Sequence, residues 1–172
     1  VKRVFCPKCD QMITLSDEKI REAIEKREGR LDVVCDACGH QLRMRLNVRR
    51  KNTSERTEAV PLAFLSVVEN IFGFKQQFPL YEGITHLGRR NKDTPVDIAV
   101  LTSDPSMDRH HCIFKAEQTT DGNVRLWVAD DDSRTGTFLA GRLLAKGEFA
   151  LLHFGDVITL GATSIIVTPV EN

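Results

Sequence analysis

The sequence has one Trp and one Tyr, and no apolar run near the roughly 20 residues that a helix needs to span a bilayer. No membrane partner is therefore expected. No apolar stretch follows Lys2 and Arg3 either, so no secretory leader is read there, and the cytoplasm is the expected compartment. Net charge is also lacking: 24 basic residues meet 24 acidic ones. The balance hides a mild asymmetry, with 14 basic against 10 acidic residues over 1–60 and 10 against 14 over 61–172. So small an excess gives only a weak pull toward nucleic acid. With only 5 cysteines and no leader, a disulfide framework is not expected.

Four of those cysteines form two CxxC pairs, Cys6-Pro7-Lys8-Cys9 and Cys35-Asp36-Ala37-Cys38, while Cys112 stands alone in an apolar stretch. Zn2+ takes a tetrahedral cage, and four thiolates fill it. Pro7 stiffens the first turn and Gly39 permits a tight exit from the second. A segment of about 46 residues buries too little apolar surface to fold alone, so ligation by Cys6, Cys9, Cys35 and Cys38 would hold it together. Redox chemistry is the competing reading, but thioredoxin-like sites use one CxxC beside a βαβ pattern. His40 is superfluous once four thiolates bind.

Between the pairs, Ser16 is placed as an N-cap before Asp17 and Glu18, with Ile20 and Ile24 on one face. This predicts a short helix stopped by Gly29. Residues 47–60, including Arg49, Arg50 and Lys51, carry almost no apolar side chains and read as a linker. Nucleic-acid binding through these and Arg43 and Arg45 stays open, although no aromatic residues interleave to provide stacking. From residue 61 onward come short β patterns separated by turns such as Asp121-Gly122-Asn123 and Gly155-Asp156. They predict ten strands, from 62–69 to 163–168, in an all-β sandwich or barrel. No internal repeat is evident. The organisation expected is residues 1–46, a linker over 47–60, and a β domain over 61–172.

The N-terminal segment resembles bacterial zinc ribbons of the form CPxC, a polar stretch (here Asp17-Glu18-Lys19-Ile20), then VxCxxCG. The C-terminal segment resembles forkhead-associated (FHA) domains. Their signature runs GR, SRxH, SxNGT, NG, GDxIxxG. Here it is met by Gly88-Arg89, Asp108-Arg109-His110-His111, Ser133-Arg134-Thr135-Gly136-Thr137, Ala140-Gly141 and Gly155-Asp156-Val157-Ile158-Thr159-Leu160-Gly161. The resemblance implies a mainly β fold, a sandwich of about eleven strands preceded by a zinc ribbon with one short helix. It also implies a non-enzymatic signalling adaptor whose loops hold a protein partner, in family members a phosphothreonine peptide.

By that resemblance the peptide-binding residues are Arg89, Asp108, Arg109, Ser133, Arg134 and Thr135, while Gly88, His111 and Gly136 shape the loops. A guanidinium at Arg89 suits phosphate. Two positions depart from the signature. Asp108 replaces the serine that donates to phosphate, and Thr135 replaces the asparagine that grips the peptide backbone. Two like unit charges about 4 Å apart at an effective dielectric near 20 cost about 4 kcal/mol, or about three decades of affinity. Either Asp108 points away or pairs with Arg89 or Arg109, or Arg134 compensates it. An alternative register would use Ser106 as the serine. Phosphate-independent binding or self-assembly is the competing function. Catalysis by His110, His111, Asp108 and Ser133 lacks a nucleophile motif.

Overall fold

A computed structural model describes residues 2–25, 30–45 and 59–171. The chain divides into two compact units, Val1–Arg56 and Thr57–Asn172. Most of the expected linker, with Arg49, Arg50 and Lys51, and the helix stop at Gly29 lie outside the described residues.

In the first unit β1 (Lys2–Phe5) pairs with β2 (Met12–Leu15), α1 (Asp17–Glu25) follows, and β3 (Arg30–Val34) pairs with β4 (Gln41–Arg45). Ser16 caps α1, its Oγ accepting from the Lys19 N–H at 3.4 Å. Ile13, Leu15 and Leu42 form a small core with Cys6 and Cys35. The expectation of no internal repeat fails here, because the hairpins β1–β2 and β3–β4 are built alike. Cys6 N–H donates to Gln11 O and Asp10 N–H to Cys6 O; Cys35 N–H donates to His40 O and Gly39 N–H to Cys35 O. Both turns leave through a left-handed residue, Asp10 at φ 59° and Gly39 at φ 69°. Asp is one of the few side chains that tolerate this conformation, so the repeat survives without a second glycine to mark it.

Among its described residues the second unit carries eleven strands. They are β5 (Ala63–Val67), β6 (Gln76–Leu80), β7 (Gly83–Arg89), β8 (Ile98–Val100), β9 (Cys112–Gln118) and β10 (Val124–Asp130), then β11 (Thr137–Leu139), β12 (Arg142–Leu143), β13 (Ala150–Leu152), β14 (Val157–Leu160) and β15 (Thr163–Thr168). They form sheets of order β13-β10-β9-β7-β8 and β12-β11-β14-β15-β5-β6. The mainly β, eleven-strand expectation is borne out; the strand missed by the sequence is β12, two residues long and with both side chains exposed.

Alternation of buried and open positions, as in β5 and β15, turns one face of each sheet inward. Phe114, Leu65, Leu87, Ile158 and Ile165 meet there at 0% exposure, each contributing roughly 1.5–3 kcal/mol by leaving water. Cys112 is fully buried in this core, and burial pushes its thiol well above the ordinary value. The strand directions gather the connections 68–75, 101–111, 131–136 and 161–162 at one end of the sandwich, where 90–97 also begins before it returns to start β8 parallel to β7.

Candidate functional site: two loops clasped by His111, and a four-sulfur cluster

β7 ends at Arg89 beside the connection 101–111, and their separation is set by Gly88. A Cβ built at Gly88 would lie 1.8 Å from Arg109 O and 2.9 Å from Asp108 O. Gly88 is thus not a turn residue but a strand residue over which another backbone passes. That approach lets Arg89 N–H donate to Asp108 O at 2.8 Å and His111 N–H to Leu87 O at 2.9 Å. The Arg89 side chain is half-buried, and its Nε donates to Met107 O at 3.0 Å. Its Nη groups have no partner among the described residues. Arg109 is exposed and likewise has none among those residues.

His111 is 0% exposed and clasps two loops. Its Nδ1 accepts the Asp108 N–H at 2.9 Å, and its Nε2 lies 2.9 Å from Gly136 O. A carbonyl only accepts, so the proton sits on Nε2 and the ring is neutral.

Asp108 answers the charge problem posed by the sequence. It pairs with neither Arg89 nor Arg109. Its Oδ2 accepts the Arg134 N–H at 2.8 Å and its Oδ1 accepts Arg134 Nε at 2.6 Å. Burial raises the carboxyl pKa, but the Arg134 N–H and guanidinium outweigh that and hold it below the usual carboxylate range. Arg134 Nη2 also donates to Pro105 O at 3.1 Å.

Two other expected ligand-contacting residues turn inward. Ser133 Oγ donates to Asp130 Oδ1 at 2.5 Å and accepts the Gly136 N–H at 2.9 Å. Thr135 Oγ1 donates to Ser106 O at 2.8 Å. Ser106, the serine of the alternative register, gives its hydroxyl to Asp104. Those hydroxyls shape the loops.

The residues that hold these loops and that sequence reasoning missed are two carboxylates. Asp104 is 0% exposed. It accepts the Ser106 N–H and hydroxyl, the Ala162 N–H at 3.0 Å and the Thr163 hydroxyl at 2.9 Å, tying 101–111 to the β14–β15 turn. Burial pushes its pKa up, but these donors more than reverse the shift and it ends low. Asp130 accepts from the Ser133 N–H and from the Ser133 and Thr137 hydroxyls. The run Asp104-Pro105-Ser106 carries the Asx-turn pattern that signals such a role.

In the first unit the Sγ atoms of Cys6, Cys9, Cys35 and Cys38 lie within 4.8 Å of one another, with Cys6–Cys38 and Cys9–Cys35 both at 3.6 Å. Four sulfurs bound at about 2.3 Å around a tetrahedral ion sit about 3.8 Å apart, so the cluster fits one metal ion. The thiols are already unequal. Burial works against ionising Cys6, but the N–H groups of Cys9 and Lys8 and neighbouring sulfurs lower its pKa to about 6. The Gln11 N–H favours ionised Cys9, but desolvation and the other sulfurs push it up to about 12. One thiolate opposes the next at this spacing, and a divalent cation removes that opposition.

Residues 85–161 match the family model of the FHA domain. Among curated proteins, the meiosis-specific serine/threonine-protein kinase MEK1 of Saccharomyces cerevisiae is 29% identical over 119 residues, which is 69% of this chain and 23% of the kinase. The chain thus spans under a quarter of that relative. The crystal structure of the MEK1 FHA domain in complex with a HOP1 phosphothreonine peptide is 28% identical, with a TM-score of 0.52 over 65% of this chain and 100% of that one. The yeast Dun1 FHA domain, in complex with a doubly phosphorylated Rad53 peptide, agrees in fold with a TM-score of 0.53 at 24% identity, over 72% of this chain and 86% of that one.

Proposed function

We propose, on the premise that the second unit carries an FHA domain over residues 85–161, that this chain is a non-enzymatic adaptor holding a threonine-phosphorylated segment of a partner protein. The observation that carries the reading is Arg89. Its Nε is anchored on Met107 O at the loop end of the sandwich, which leaves both Nη groups to take phosphate oxygens. Arg109 and Arg134 lie on the connections 101–111 and 131–136 at the same end of the sandwich, Arg134 paired with Asp108. The MEK1 FHA domain, which shares 28% identity, is seen with a phosphothreonine peptide. The likeness to a kinase runs through its FHA domain, a binding module, and so carries no catalytic role here.

The first unit serves in this reading as a structural zinc ribbon, with Cys6, Cys9, Cys35 and Cys38 holding Zn2+. The ion supplies the tetrahedral centre to which the two hairpins are tied, and a reducing cytoplasm keeps the four thiols available to it. The domain limits that go with this reading are 1–46 and 61–172.

Titration of the intact protein with peptides differing only in phosphorylation of one threonine tests the proposal. Binding of the phosphorylated form alone, lost on Arg89→Ala, supports it; equal affinity for both forms overturns it. Phosphate-independent binding is the second reading. It is favoured by the Asp108 carboxylate and by Thr135, whose hydroxyl is turned to Ser106 O, and it predicts that equal affinity.

A further inference from the structure

We propose that the Asp108 carboxylate is an internal anion seated where a ligand phosphate would bind, so that the loops admit phosphate dianions and reject carboxylate side chains. This rests on the FHA reading and names the ligand selection of that site. The seat consists of one main-chain N–H and one guanidinium N–H, both from Arg134, at 2.8 and 2.6 Å from the two carboxylate oxygens. That is a charge-assisted, two-point grip of the kind that takes an oxyanion. The Asp108 backbone is held independently, through its N–H to His111 and its carbonyl to the Arg89 N–H. Its side chain is 18% exposed while that of Arg134 is 69% exposed. The occupant is therefore tethered and sheltered, and the arginine is reachable from solvent.

Displacement follows from valence and reach. A peptide Asp or Glu offers one charge and two oxygens, the same as Asp108, and must compete with a tethered group of high effective concentration. A phosphothreonine carries about −1.5 to −2 charge and three acceptor oxygens near pH 7. It can take Arg134 while also engaging the Arg89 Nη groups and Arg109, which have no partner among the described residues. Loss of the second ionisation near pH 6 removes that advantage.

The test uses the intact protein and three synthetic peptide libraries with degenerate flanks, whose central residue is phosphothreonine, threonine or glutamate. Binding is read by fluorescence anisotropy at pH 7.5 and 5.5. The wild type is expected to bind the phosphothreonine library alone and to lose most of that affinity at pH 5.5. Asp108→Asn, with Asp108→Ser as the second variant should the first fold poorly, is expected to bind the phosphothreonine library about tenfold more tightly and to acquire glutamate binding. If wild type binds phosphothreonine and both variants bind it no better, the internal-anion proposal falls while the phosphopeptide reading stands. If neither wild type nor variants prefer phosphothreonine to threonine, the reading and the proposal fall together.

Discussion

Replacing Gly88 with alanine perturbs the approach of the 101–111 connection to β7. The added methyl would sit 1.8 Å from Arg109 O, 2.3 Å from Arg109 C and 2.9 Å from Asp108 O. Ordinary carbon–oxygen contacts are about 3.3–3.6 Å, so the connection must retreat by roughly 1.5 Å. The obstruction is backbone on both sides, and no flexible side chain can yield. Retreat breaks the Arg89 N–H to Asp108 O bond and strains the neighbouring His111 N–H to Leu87 O bond. Overpacking costs about 1–3 kcal/mol and each lost hydrogen bond about 0.5–1.5 kcal/mol, so the loss is about 3 kcal/mol. At a few degrees per kcal/mol for a unit of this size, the melting temperature should fall by about 10 °C.

Trp127, the single tryptophan, lies on β10 of the same unit and reports urea unfolding by fluorescence. Gly122→Ala is the control. Its backbone is left-handed, at φ 84°, but no atom lies within 4 Å of the new methyl, so it should cost only about 1 kcal/mol of backbone strain. A Gly88→Ala protein as stable as Gly122→Ala, with unchanged peptide affinity, would refute the close-approach argument.

Asp104→Ala leaves the Ser106 N–H and the Thr163 hydroxyl without their acceptor and the Ala162 N–H with Ser106 Oγ alone, and should cost about 3 kcal/mol by urea unfolding. Asp104 and Asp108 both have folded pKa values below the ordinary carboxylate value of about 3.9. Their contribution is therefore complete above about pH 5 and is lost as pH falls through the folded values; unfolding monitored by Trp127 should show the second unit losing this contribution on that acid side. Purified protein should carry one Zn2+ per chain by elemental analysis. Chelation, or Cys35→Ser, should abolish the amide protection of residues 30–45 in hydrogen exchange while Trp127 fluorescence stays native.

The sequence alone determined the elements whose signals are local. Short apolar, β-prone runs bounded by turn residues made strands such as β9 and β14 readable to the residue, Ser16 marked the start of α1, and the two CxxC pairs marked the sulfur cluster, because each pattern is written within a few neighbouring positions. The matched repeat of the two cysteine turns escaped notice, since Asp10 adopts the backbone that Gly39 advertises openly. At the loop end, order along the chain placed Arg89, Asp108, Arg134 and His111 in the right segments but not their partnerships. That Asp108 meets Arg134, that Asp104 joins 101–111 to Ala162 and Thr163, and that Ser133 serves Asp130 were decided by tertiary structure. Hydrogen bonds and ion pairs depend on distance in space. These pairs meet only because two sheets bring strands from distant parts of the chain to one end of the sandwich.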